Sequence, residues 1–385
     1  MLKILFVAQA ELRYELGGPK VVLELADTLK EMGCVVSVVG PDEVRLYLEK
    51  KNVKTSSSYS YNLKEFLKYE AANYDIVDYD AGYLPFDRSL FPSETLMVAR
   101  SVLMILHLRK IAFPRKKDIW TIVKKILTAN KYRRYLNRKM NDFSTTLHNA
   151  DLINVSNYKD VDYLRSQAIA GEIVDIPYGL TKIRMAELNR IAQREKTFSP
   201  NIVFVGTYDY RKGGLDIPQI FKYVKEAIPS AKLYLLGAKG LFTKSEDIYS
   251  FFPNHLHRDI DIVMTYKSES LSDYLTDMTI GIFPSYLEGF GFAVLEKMAA
   301  GIPVFAYDVP GPCCVVEKDY LVQSGNWREI ARRVVESLND KDKLQTMSMK
   351  VRERAERFTW DSIAHKTLEV YTEKLAQQRA EATKI

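Results

Sequence analysis

The sequence predicts an α/β protein built from two Rossmann-like domains. Three observations carry that expectation. From Gly281 to Val304 an apolar run ends at Pro284-Ser285, a glycine-rich turn opens a helical segment, and Gly301-Ile302-Pro303 closes it before another apolar run. That is strand, loop, helix, strand, the grammar of a parallel sheet. The same grammar opens the chain and restarts near Asn201. A length of 385 residues holds two domains of ordinary size.

Composition narrows the class. Hydrophobic residues at 47% can fill two cores, and 27% charged residues suit a water-facing globular surface. Three cysteines, Cys313 and Cys314 adjacent, give no disulfide framework and suit a reducing compartment. Five scattered histidines and these cysteines lack metal-ligand spacing, so no metal is expected. Residues 1–10 lack the basic region and cleavage site of a signal peptide, and no apolar run reaches the length of a membrane span. The expected location is cytoplasmic.

In the N-terminal half, Lys3 to Ala8 is a buried parallel strand. Gly17-Gly18-Pro19-Lys20 opens a helix with Val21, Val22, Leu25 and Leu29 on one stripe, and Cys34 to Val39 is the second strand. The full Gly-x-Gly-x-x-Gly fingerprint is missing, so no dinucleotide site is read here. Tyr74 to Tyr79 and Leu96 to Ser101 are further strands. His107 follows in apolar surroundings, where a packed or surface histidine is one reading.

Residues 109–140 carry twelve Lys and Arg against one acid, Asp118, with aromatic and aliphatic residues interleaved at helical spacing. A basic amphipathic stretch is a membrane-surface signal. Each basic side chain near an anionic leaflet contributes about 1 kcal/mol. A solvated helix face packed on the core, or a groove for an anionic acceptor or nucleic acid, are the competing readings. Ala150 to Ser156 is a strand, a helix follows from Asn157-Tyr158, and Val174 to Gly179 is a short strand. Polar residues then place an interdomain linker at 181–200, between domains at 1–180 and 201–360.

In the C-terminal half, strand Asn201 to Val205 runs into a loop, Gly206 to Gly214, that carries Arg211 and Lys212. Lys232 to Gly237 and Ile260 to Met264 are strands. Tyr266 follows the second of them and either stacks on a base or packs like most tyrosines. Ser270 to Asp277 is a helix before the Gly281 strand. Helices fill Trp327 to Leu338 and Lys341 to Phe358, and a last one runs from 361 to about 376 with a frayed tail.

In the central motif, Glu288 sits in the loop and Glu296 in the helix, eight positions on. Gly289 and Gly291 have no Cβ, so a ligand can approach the backbone. The amides of Phe290, Gly291 and Phe292 at the helix start favour an anion. Acceptor-only carboxylates beside them can hold hydroxyls. A nucleotide sugar carries both groups.

This stretch resembles the Glu-x7-Glu motif of retaining GT-B glycosyltransferases of the GT4 type, with a Ser-x-x-Glu-Gly-Phe-Gly lead-in and a Gly-x-Pro-Val exit. The resemblance implies two Rossmann-like domains facing across a cleft, with the 361–385 helix crossing back to the N-terminal one. It implies a UDP-, GDP- or ADP-sugar donor, a glycan or lipid-linked acceptor, and no metal or nucleic acid. Glu296 would bind ribose hydroxyls and Glu288 sugar hydroxyls. Lys212 fits the family's diphosphate lysine, Thr207 replaces its arginine, and Arg211 stands in for the lost charge. In the resemblance, Tyr266 borders the nucleobase, Gly17-Gly18 brings a helix start to the donor phosphate, and His107 faces the sugar. The family's lipid-linked members carry basic N-terminal surfaces, which makes a peripheral position on the inner membrane face an extension of the cytoplasmic expectation. A nucleotide-sugar epimerase, or a catalytically silent membrane or nucleic-acid binding protein, are the alternatives.

Overall fold

The computed structural model describes residues 1–14, 17–109, 111, 114, 119–167, 169, 171–193 and 199–382, apart from the side chains of 119–130 and Ala382. The chain divides into two compact units. In the first, β1 (Lys3–Val7) leads to α1 (Gly17–Glu31), β2 (Val35–Val39), α2 (Pro41–Lys50), α3 (Tyr59–Glu70), β3 (Ile76–Asp80), β4 (Leu96–Ser101), α4 (Ile119–His148), β5 (Leu152–Val155), α5 (Tyr158–Ser166) and β6 (Glu172–Asp175). The second holds α6 (Lys182–Ala192), β7 (Asn201–Val205), α7 (Asp216–Ala227), β8 (Lys232–Leu236), α8 (Ser245–Tyr249), β9 (Ile260–Val263), α9 (Leu271–Leu275), β10 (Ile280–Phe283), α10 (Phe292–Ala299), β11 (Val304–Tyr307), α11 (Pro312–Val315), β12 (Leu321–Val322), α12 (Trp327–Leu338) and α13 (Lys341–Ala355). A last helix, α14 (Trp360–Ala382), belongs to the first unit.

Each unit is one parallel six-stranded sheet. The first runs β2-β1-β3-β4-β5-β6, with Ile4 flanked by Val36 and Ile76. The second runs β12-β11-β10-β7-β8-β9. Helices cover both faces of such sheets, so central strands read as continuous apolar runs. Ile4, Leu5 and Phe6 in β1 and Ile202, Val203 and Phe204 in β7 have no exposed surface. The predicted stripe on α1 is buried as well, at Val21, Val22, Leu25 and Leu29.

The first unit is cross-tied by a buried polar network. Arg100 on β4 donates from Nε to Asp78 Oδ1 at 3.0 Å and from Nη2 to Oδ2 at 2.5 Å. Tyr371 on α14 donates to the same Asp78 Oδ2, and Asn154 Nδ2 on β5 donates to the Tyr371 oxygen at 3.1 Å. Trp360 Nε1 donates to Glu24 Oε2 on α1 at 2.7 Å. Buried charges persist only when paired and hydrogen-bonded, so these contacts fix where α14 lies in this unit.

Several elements differ from expectation. The strand expected at 174–179 is β6 at Glu172–Asp175; the Ile176 amide still donates to the Val155 carbonyl at 2.8 Å, while Tyr178 beyond it is buried by packing, 6.1 Å from the Trp360 ring. The polar stretch read as a linker contains α6, capped by Thr181 and burying Met185, Leu188 and Ile191. The helix expected at 270–277 is the shorter α9, and α14 runs past 376 to Ala382. In the basic stretch, Lys110, Arg115 to Asp118 and the side chains of 119–130 lie outside the described residues. No helix among the described residues is long and apolar enough to cross a membrane.

Replacing Arg100 by Met leaves Asp78 buried without its counter-charge. The expected loss is about 3–5 kcal/mol of stability, read as a lower urea midpoint for the first unit. An unchanged midpoint contradicts the role given to this network.

Candidate functional site

The strand order locates the site. In the second sheet β7 is the first strand, with β8 and β9 built out on one side and β10 to β12 on the other. The order therefore reverses between β7 and β10. In open parallel sheets ligands bind beyond the strand carboxyl ends at such a switch point. The β7 loop carries Arg211 and Lys212, and the β10 loop carries Glu288 to Gly291.

The two loops are locked to each other. Gly213 has φ +81°, and a Cβ there would stand 2.4 Å from the Pro284 carbonyl oxygen. Only glycine permits that approach. The Tyr286 amide donates to the Arg211 carbonyl at 2.8 Å. Beneath them Asp216, at the start of α7, accepts the hydroxyls of Tyr286 and Tyr307, each at 2.7 Å. Burial raises the Asp216 carboxyl, and these two donors pull it back down.

Three predicted residues meet there. Lys212 Nζ donates to Glu288 Oε1 at 2.5 Å and lies 5.3 Å from the Phe283 ring centroid. Arg211 Nη1 donates to the Leu287 carbonyl at 2.6 Å and stands 3.6 Å from Glu288 Oε1. Glu288 is 8% exposed, so its charge is held by two cations in a largely dry position. The Lys212 amide donates to Asp209 Oδ1 at 2.9 Å, which fixes the loop tip. Thr207, where the resemblance places arginine, donates instead to Asp209 Oδ2 at 3.1 Å. Arg211 thus brings a guanidinium to Glu288 from four residues further along the same loop.

Glu296 has a partner that sequence reasoning missed. Arg184 on α6 donates from Nε at 3.2 Å and from Nη2 at 3.0 Å, both to Glu296 Oε1. Oε2 keeps its acceptor capacity. Tyr266 belongs to the same neighbourhood: burial first, then the Glu296 charge, pushes its hydroxyl well up. A Cβ at Gly237 would stand 3.0 Å from Tyr266 Cε1, so that glycine leaves the ring its place. The signal for Arg184 was the Thr181 cap followed by Met185, Leu188 and Ile191 at helical spacing.

The glycine turn itself is built as expected. Gly291 caps α10 in the left-handed region at φ +99°, and the amides of Val294 and Leu295 turn to its carbonyl. Phe290 is 3% exposed and packs on Phe292 and Phe358, so any ligand contact falls to its backbone rather than its ring. Gly289 is half-buried, and the carbonyls of Gly289 and Phe290 leave no room for a Cβ at Gly311.

The remaining predicted residues stand elsewhere. Gly17 and Gly18 open α1 in the first unit, at its own switch point between β1 and β3. A Cβ at Gly18 would displace the Gln9 amide, while one at Gly17 meets nothing within 4 Å. His107 is half-buried in a single 3-10 turn, Ile105–Arg109. Among the described residues, no group of three or more His, Cys, Asp or Glu is placed to hold a metal ion.

Residues 186–354 match the family model for glycosyl transferases group 1. The capsular polysaccharide biosynthesis glycosyltransferase CapM of Staphylococcus aureus is 27% identical over 177 residues, covering 44% of this chain and 45% of CapM. The D-inositol 3-phosphate glycosyltransferase of Thermobispora bispora is 35% identical over 108 residues, 27% of this chain and 25% of that enzyme. The match thus spans less than half the length of these curated relatives. Among solved structures, sucrose-phosphate synthase from Thermosynechococcus elongatus superposes with a TM-score of 0.71 at 18% identity, covering 98% of this chain and 100% of that one. Anabaena HepE, solved with UDP and glucose, superposes at 0.63 and 14% identity, covering 97% and 100%. The two parallel-sheet units match the GT-B architecture of these structures. The family match runs over residues 186–354, from α6 through the Glu288 and Glu296 loops to α13.

Proposed function

We propose that this protein is a retaining, metal-independent glycosyltransferase that moves a sugar from a nucleotide sugar to a hydroxyl acceptor. The observation that carries the reading is the Lys212–Glu288 contact at the switch point of the second sheet. An ammonium has three donors and this one spends one on Glu288, so two remain for phosphate oxygens. Arg211 and the amides of Phe290, Gly291 and Phe292 complete the anion seat. They stabilise the charge that grows on the leaving nucleoside diphosphate without a metal.

Glu288 then holds sugar hydroxyls near the reacting carbon. Glu296 offers Oε2 to the ribose while Arg184 keeps Oε1, and Tyr266 stacks on the base. No protein nucleophile is assigned. The departing phosphate oxygen takes the acceptor's proton. By the same resemblance, His107 faces the sugar. HepE, a structural neighbour, was solved with UDP and glucose, which supports the donor class.

The acceptor is a glycan, a lipid-linked saccharide or a glycolipid. On the described part of α4, Lys131, Arg133, Arg134 and Arg138 are exposed beside Tyr132 and Tyr135. That face supports a peripheral position on an anionic membrane. The expected place of action is the cytoplasmic side.

Two experiments test the reading. In a screen of UDP-, GDP- and ADP-sugars, the wild-type protein hydrolyses or transfers one donor, while Glu296→Gln and Lys212→Ala lose about two to three orders of magnitude in turnover. Glu296→Gln keeps the wild-type melting temperature within a few degrees (roughly 1 kcal/mol), and Lys212→Ala, which leaves Glu288 to Arg211, stays folded at the assay temperature. Wild-type turnover in both defeats the assignment. Arg184→Met removes two charge-assisted bonds from Glu296, and the Kd for the nucleotide rises roughly tenfold, about 1.4 kcal/mol. An unchanged Kd in calorimetry contradicts the role given to Glu296.

A further inference from the structure

One charged side chain of the donor helix takes no part in the scheme above. Lys297, next to Glu296 on α10, has no exposed surface. Its Nζ has one hydrogen bond, to the Ile282 carbonyl at 3.3 Å, and lies 5.2 Å from the Phe283 ring centroid. An ammonium buried with one long hydrogen bond leaves two donors unmet, whereas a neutral amine at the same place leaves far less unsatisfied. The position is shaped for this side chain: a Cβ at Gly281 would stand 3.1 Å from Lys297 Cδ.

The same aromatic ring carries a second ammonium, that of Lys212, at 5.3 Å. Two like charges sharing one ring in a dry core oppose each other. The other charged groups near α10 are already engaged. Glu296 is bound by Arg184 of α6, and Arg354 of α13 donates to the Cys314 and Val315 carbonyls on α11. From β11, the Tyr307 hydroxyl is given to Asp216. Burial first, then the charge of Lys212, pulls the Lys297 amine down to about 7, against an upward pull from Glu296.

We propose that Lys297 is a proton-uptake residue: at about pH 8 it is neutral in the free protein and takes a proton from solvent when a nucleoside diphosphate occupies Lys212. The inference rests on the donor site proposed above. A diphosphate on Lys212 reverses the sign of the field at Phe283, so the repulsion that kept the second amine neutral becomes attraction. Proton and nucleotide then favour each other by the same factor, as linkage requires. The new charge lies beneath the leaving group and strengthens the hold on it. Lys297 is a positioning residue, since it acts through Phe283 and Lys212 and is too buried to touch the donor.

The test is calorimetric titration of UDP, ADP and GDP into the full chain, in two buffers of different ionisation enthalpy. At about pH 8 the wild-type protein takes up between about half a proton and one proton per bound nucleotide. At about pH 6, where the amine is already charged, uptake falls towards zero. Lys297→Met, of similar length and unbranched, binds the nucleotide without uptake, and its Kd stays flat where the wild-type Kd weakens up to roughly tenfold per pH unit above about 7. Equal uptake in wild type and Lys297→Met overturns the inference and leaves the donor site intact. Should Lys297→Met fail to fold, Lys297→Gln takes its place; the difference in uptake from wild type cancels the diphosphate's own titration near pH 6, and no difference at about pH 8 overturns the inference. Failure of all three nucleotides to bind overturns the donor site and this inference together.

Discussion

Everything proposed for this chain depends on one contact, the ammonium of Lys212 against the carboxylate of Glu288. The two residues are 76 positions apart and come from different loops. What joins them is the sheet order, which sets the ends of β7 and β10 side by side. What holds them is close backbone approach, with Gly213 against Pro284 and the Tyr286 amide on the Arg211 carbonyl. A cation and an anion fixed this way in a largely dry place form a preorganised field. Preorganisation of that kind costs no rearrangement when charge develops on a leaving group.

The two units show different uses of buried charge. In the first, Asp78 accepts from Arg100 on both oxygens and from Tyr371, to which Asn154 donates. That arrangement has a structural purpose, tying β3, β4, β5 and α14. In the second unit the charges are less complete. Glu296 spends one oxygen on Arg184 and keeps the other, Lys212 spends one donor, and Lys297 has a single long hydrogen bond. Unspent capacity at strand carboxyl ends is what a binding site needs.

Much of this was legible in the sequence because the motif is local. Strand, turn and helix follow one another from Gly281 to Val304, so Glu288, Gly291 and Glu296 could be placed without a structure. Lys212 was legible from a strand before it and glycines after it. Arg184 was not, because its stretch reads as polar and its meaning depends on a helix docking against α10. Tyr178 and Ile176 were misassigned to a strand because apolar character reports burial, whichever neighbour does the burying. The loop-to-loop lock escaped notice for a related reason: a glycine's need for space shows only when the opposing backbone is known. Thr207 was read as the place of a lost cation, but that Arg211 turns back to Glu288 depends on the loop's path.

The most direct test of the central contact is a crystal structure of this protein soaked with the UDP-, GDP- or ADP-sugar that it binds. The account predicts the diphosphate on Lys212 and Arg211, sugar hydroxyls at Glu288 and the ribose on Glu296 Oε2. Nucleotide density at some other place, with Lys212 still closed on Glu288 and nothing beside the α10 start, would contradict it.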